Sequence, residues 1–122
     1  MDAINALAGI AVGSALDHAR ARRPTAKDQA QASYDALFHP ADPGGVTMHE
    51  RFAVALFVAG LHGDGVAMRF YGDGLTRSGA PSALAAATGM AADTAAGQGP
   101  YGSFPAGLLS REDAPGPAYR VP

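Results

Sequence analysis

The chain has no cysteine and no tryptophan among its 122 residues. Without cysteine there is no disulfide framework, no thiolate zinc site and no thiol nucleophile or redox pair. Charge is also scarce: 16% of residues are Asp, Glu, Lys or Arg, against roughly a quarter in ordinary soluble domains. Nine basic residues face eleven acidic ones, for a net charge of -2, which provides no electrostatic footprint for DNA, RNA or an anionic membrane. The longest apolar run, Phe52 to Leu61 with Gly60 inside it, is well short of the ~18 residues that a membrane span needs. The opening Met1-Asp2-Ala3-Ile4-Asn5 lacks the basic start and apolar stretch of a signal peptide, so a soluble, cytoplasmic protein is expected. No GxGxxG follows a strand, and no GxxxxGK[ST] or GxSxG occurs, which leaves dinucleotide, P-loop and hydrolase readings without a motif. No useful alternation of period two is present, and an all-α fold is expected.

What is abundant is alanine, at 28 positions, and helix punctuation. Asp2 can cap a first short helix carrying Ile4, Leu7 and Ala8, with Gly13-Ser14 as a stop and a new cap for Ala15 to Arg22. Arg20, Arg22 and Arg23 fall at the end of that helix, where cations complement the dipole, and Pro24 closes it. Thr25-Ala26-Lys27-Asp28 resembles a capping box for a helix running to about His39, with Ala30, Tyr34, Leu37 and Phe38 on one face. Next comes a loop rich in Pro and Gly, from His39 to Val46. Thr47-Met48-His49-Glu50 is the clearest helix start in the chain. The run behind it is apolar around its whole circumference, which predicts a central helix buried on all sides. Val66 to Tyr71 reads as a short helix between Gly63, Gly65, Gly72 and Gly74, and an Ala-rich helix runs from about Pro81 to Ala96.

The helical domain therefore covers residues 1–96. Residues 97–122 hold five Gly and five Pro, too many missing donors and flexible joints for a helix or sheet ladder. Tyr101, Phe104, Leu108, Leu109 and Tyr119 suggest instead that this tail lies along a surface as an extended strap.

Residues able to carry chemistry are few. His18, His39, His49 and His62 are scattered, with no i,i+4 pair and no HExxH arrangement. A cation cluster at Arg20 to Arg23 could hold phosphate, but a solvated helix end is the reading preferred for it. Glu50 has capping-box closure as its ordinary role and acid-base work as the alternative. Gly63-Asp64-Gly65 and Gly72-Asp73-Gly74 echo each other nine residues apart. Two such copies are too few for a calcium-binding repeat, so both are expected to break helices.

The segment from Thr47 to Gly63 resembles the helix that precedes the active site in the carboxymuconolactone decarboxylase and alkylhydroperoxidase D superfamily: a polar start, an apolar run, then a short pair before the catalytic motif. Gln29 to Phe38, Gly99-Pro100-Tyr101-Gly102 and Leu109 to Asp113 extend the likeness to a bacterial branch carrying this domain. The resemblance implies an all-helical, alkylhydroperoxidase D-like bundle that forms homo-oligomers in multiples of two or three. It also implies a catalytic CxxC, a histidine and a relay glutamate, and those positions fall here on Asp64, Ala67, Tyr71 and Phe52. Members of the branch are longer, so the missing packing is expected either from a second helical half or from neighbouring subunits.

These readings lead to a non-redox, oligomeric binding or structural subunit with a possible small-molecule ligand, no cofactor and no resident metal. The alternative is a cysteine-free decarboxylase or isomerase, or an antioxidant-related protein acting with an active relative. Its candidate catalytic residues are His62, Asp64, Tyr71 and Glu50. A weaker reading places a metal between His49, His62 and Asp64.

Overall fold

A computed structural model of the chain describes residues 2–97, 102–104 and 106–116. Six α-helices and no β-strand occur among them. Helix α1 (Ala3–Leu7) starts at Asp2, whose carboxylate accepts the Asn5 backbone N–H, and α2 (Ala15–Ala21) starts at Ser14, whose hydroxyl accepts from Asp17 N. Helix α3 (Pro24–Phe38) begins on the proline itself, with Arg23 at the N-cap and no side-chain cap. The expected Thr25 capping box does not form. Proline's fixed φ suits the first helical turn, and this pulls the start two residues earlier, from Ala26 to Pro24.

Helix α4 (Met48–Leu61) has both halves of its capping box, Thr47 accepting from Glu50 N and Glu50 accepting from Thr47 N. It packs side by side with α5 (Gly65–Arg77) and α6 (Ser82–Ala95), and these three helices hold the core. Phe52, Leu56 and Leu75 are its buried centre, with Phe38, Met68, Tyr71 and Leu84 packed around them. The Phe38 ring bridges to α3, its centroid 4.9 Å from Phe52 and 5.4 Å from Tyr71.

Two expectations are corrected here. Helix α4 is not buried all round: Phe52, Leu56, Ala59 and Gly60 form the buried stripe, while Val54 is 62% exposed, Val58 45% and Leu61 39%. Among the described helices α3, α5 and α6 pack on it, and the opposite apolar face is left largely exposed. Helix α5, expected to end near Tyr71, runs straight through Gly72 and Gly74 to Arg77. Gly74 is buried with Phe52 against it, and a Cβ there would collide with the ring. Packing against the aromatic ring outweighs the weak helix propensity of glycine.

The N-terminal helices are joined by polar groups more than by apolar ones. Arg20 donates to Asp2 Oδ1 (2.9 Å) and to Asn5 Oδ1, Asn5 Nδ2 donates to Asp17 Oδ1 (3.0 Å), and Ala3 N donates to Gln31 Oε1 (2.8 Å). Asn5 is buried, yet Leu16 is 63% exposed.

The C-terminal segment also departs from expectation. Leu108–Glu112 forms a 3-10 turn, and Gly102 and Ala114 pair in an antiparallel bridge, so some regular structure survives the Gly and Pro residues. Phe104 N donates to Asp113 Oδ1 (2.7 Å), which closes the loop on itself. Leu108 is 79% exposed and Leu109 53%, so neither is pressed against the helices as a strap would require. Tyr101 and Tyr119 lie outside the described residues.

Candidate functional site

The corner between α4 and α5 brings together most of the sequence candidates. His62 is the C-cap of α4, and Gly63, at φ 64°, takes the left-handed conformation that lets Asp64 N donate back to Ala59 O (3.1 Å). Such a cap favours glycine because a Cβ would be strained there. Asp64 then caps α5, its Oδ1 accepting from Val66 N (3.0 Å) and Ala67 N (3.1 Å). Spacings of three and seven residues put Ala67 and Tyr71 on the same helical face as Asp64.

The result is an open depression of about 370 Å³ whose lining includes Val58, Ala59, His62, Asp64, Ala67 and Tyr71. Its floor is aliphatic and its rim carries an imidazole, a carboxylate and a phenol. Burial pushes the Tyr71 hydroxyl above its ordinary value, so at neutral pH it is a protonated donor. One Asp64 oxygen is engaged by the helix cap, and no hydrogen bond joins His62, Asp64 and Tyr71 among the described residues. A general base normally needs a partner to orient it; His62 has none here.

Glu50 stands apart from this depression. Its Oε2 accepts from Thr47 N (2.7 Å) and from the Thr47 hydroxyl (2.8 Å), which hold its carboxyl below the usual range, the backbone N–H contributing most. That geometry is the capping box, with the carboxylate in solvent. His49 sits in the first turn of α4, and its Nε2 donates to Ser78 O (2.9 Å) at the end of α5. Thirteen helical steps separate it from His62, about 20 Å at 1.5 Å per residue. A metal shared by His49, His62 and Asp64 is therefore ruled out geometrically, and no other group of three His, Asp or Glu ligands gathers among the described residues.

Sequence reasoning missed Arg51. Its Nε donates to Val46 O (3.0 Å), Nη1 to Leu37 O (3.1 Å) and Nη2 to Pro43 O (2.9 Å), which pins the 39–46 loop to α4. Beside it a second depression of about 320 Å³ is lined by Leu37, Phe38, Val46, Val54 and Ala55. Ala55 lines both depressions, so they border one continuous apolar strip along the uncovered face of α4. The signal available in the sequence was an arginine four residues after a cap, next to a Pro/Gly loop whose carbonyls would need donors.

No helix among the described residues is long and apolar enough to cross a membrane. Set against known proteins, the chain matches no family model, no curated protein and no solved structure.

Proposed function

We propose that the protein is a non-redox, self-associating helical subunit, and that the uncovered face of α4 is the surface on which a second copy of the chain packs. The observation that carries this is the exposure of Val54, Val58 and Leu61 at i, i+4 and i+7 on a 14-residue helix, flanked by two apolar depressions. An aliphatic stripe of that length on a chain with so little charge is the usual mark of an interface, and identical chains close such surfaces by symmetric pairing. Membership of the carboxymuconolactone decarboxylase and alkylhydroperoxidase D superfamily belongs to the same proposal. The all-helical chain supports it, as does the shared face of Asp64, Ala67 and Tyr71, with the thiol chemistry of that family absent for want of cysteine.

Light scattering of the full chain at micromolar concentration tests the reading. A mass of two or more chains is expected, falling toward 12.3 kDa in Val58→Glu with helical circular dichroism unchanged. A wild-type mass near 12.3 kDa at every concentration would overturn it.

A second reading is favoured by one observation, the gathering of His62, Asp64 and Tyr71 around one depression. It makes the corner a small-molecule site whose polar groups are His62, Asp64 and Tyr71, with the Tyr71 hydroxyl as a donor. A His62 ring NMR signal that shifts on adding a ligand, and no longer does in Tyr71→Phe, would support it; a His62 signal indifferent to every bound molecule would sink it.

A further inference from the structure

The N-terminal helices are built inside out. Asn5 is buried with both ends of its side-chain amide hydrogen-bonded, whereas Ile4, Ile10 and Leu16 line a groove of about 460 Å³ between α1, α2 and α3. Three cations line the same groove, Arg20, Arg23 and Lys27, and no carboxylate does. Their donors are only partly used. Arg20 employs one nitrogen, Nη1, on Asp2 and Asn5. Lys27 lies 3.8 Å from Asp2 and 3.6 Å from Asp17, beyond hydrogen-bond reach. Arg23 has no ion pair among the described residues.

We propose that this groove binds a single-chain amphipathic anion, a carboxylate with an unbranched acyl tail. The tail lies over the aliphatic floor and the carboxylate meets the free donors of Arg20, Arg23 and Lys27. Size selects a small molecule over a peptide: the space equals about one turn of α-helix, a cylinder about 10 Å across and 5.4 Å long, and it falls within the roughly 300–1,000 Å³ of small-ligand sites. Charge selects the head group: Asp2 and Asp17 offset Arg20 and Lys27, and Arg23, without an ion pair among the described residues, leaves the groove net cationic, which favours an anion over a neutral or cationic amphiphile. The groove shares no residue with the uncovered face of α4, so the two proposals fail independently.

The test is calorimetric titration of the full chain with decanoate below its micelle concentration, beside decanol and decyltrimethylammonium. Saturable binding of one decanoate per chain is expected, at least tenfold tighter than either analogue. Arg23→Glu should weaken it at least tenfold and Leu16→Asp should abolish it, both with unchanged circular dichroism. Arg23 is exposed and makes no capping hydrogen bond, so its variant keeps the fold, and Arg23→Gln repeats the test without reversing charge. Equal affinity for all three amphiphiles, no saturation, or indifference to the Arg23 variants would overturn the proposal. So would tighter binding to anionic phospholipid vesicles than to decanoate, or an oligomer mass that drops in Leu16→Asp, since these assign the groove to a membrane or to a second copy.

Discussion

Gly63-Asp64-Gly65 and Gly72-Asp73-Gly74 are the same three residue types in the same order, and they do opposite things. The first breaks the chain into two helices, with Gly63 at positive φ and Asp64 capping α5. The second lies inside α5. Local sequence does not separate them; Phe52, twenty-two positions before Gly74, does. This predicts a contrast within one helix. Gly72→Ala adds a methyl group into open space and should stabilise by up to about 1 kcal/mol through helix propensity. Gly74→Ala gains the same propensity but drives a Cβ into the Phe52 ring, and overpacking of about 1–3 kcal/mol should make it net destabilising. Urea denaturation of the two variants checks the opposite signs.

Among the elements, α4 rests on its first turn. Thr47→Ala should cost about 1 kcal/mol, the usual value of an N-cap, and Glu50→Gln should cost less, because an amide can still accept from Thr47 N. The two differ in acid. The Glu50 carboxyl is held below the ordinary carboxylate range by the Thr47 backbone N–H and then by the Thr47 hydroxyl. Its contribution is therefore complete above the unfolded-state pKa and is lost as pH falls through the lowered one. Glu50→Gln should fall short of wild type at neutral pH and converge with it in acid, as melting curves across that range would show. Capping was legible at three helix starts, where it is decided within four residues and Asp2, Ser14 and Thr47 were readable as N-caps, but not at α3, where Pro24 displaced the expected Thr25 box. The burial of α4 was not, since circumference-wide apolarity says that neighbours are wanted and not that this chain supplies them. His62, Asp64 and Tyr71 were named from sequence, but their shared depression depends on the Gly63 corner and on α4 and α5 lying side by side.

Across the whole molecule the two halves are held by different forces. Helices α4, α5 and α6 share an apolar core that Phe38 of α3 joins, while α1 and α2 are stitched to each other and to α3 by Asp2, Asn5, Asp17, Arg20 and Lys27. Raising salt from about 10 mM to about 1 M shortens the screening length from roughly 30 Å to 3 Å. Amides of α1 and α2 should then exchange faster while those of α4 stay protected, and equal acceleration throughout would contradict the division. The legible part at this scale was the class, all-helical; the division was hidden because ion pairs between residues 2, 17, 20 and 27 have no periodic signature. The polar stitching also sets how each half answers to temperature. Exposing apolar surface raises heat capacity on unfolding and exposing polar surface lowers it, for an average near 12–15 cal/mol/K per residue. The N-terminal helices, which expose buried Asn5 and already show Leu16 to water, should melt with a heat-capacity increment well below that average. Their stability then changes almost linearly with temperature, whereas the α4–α6 core follows a curve with a maximum, and on cooling the two halves part company thermodynamically before either one unfolds.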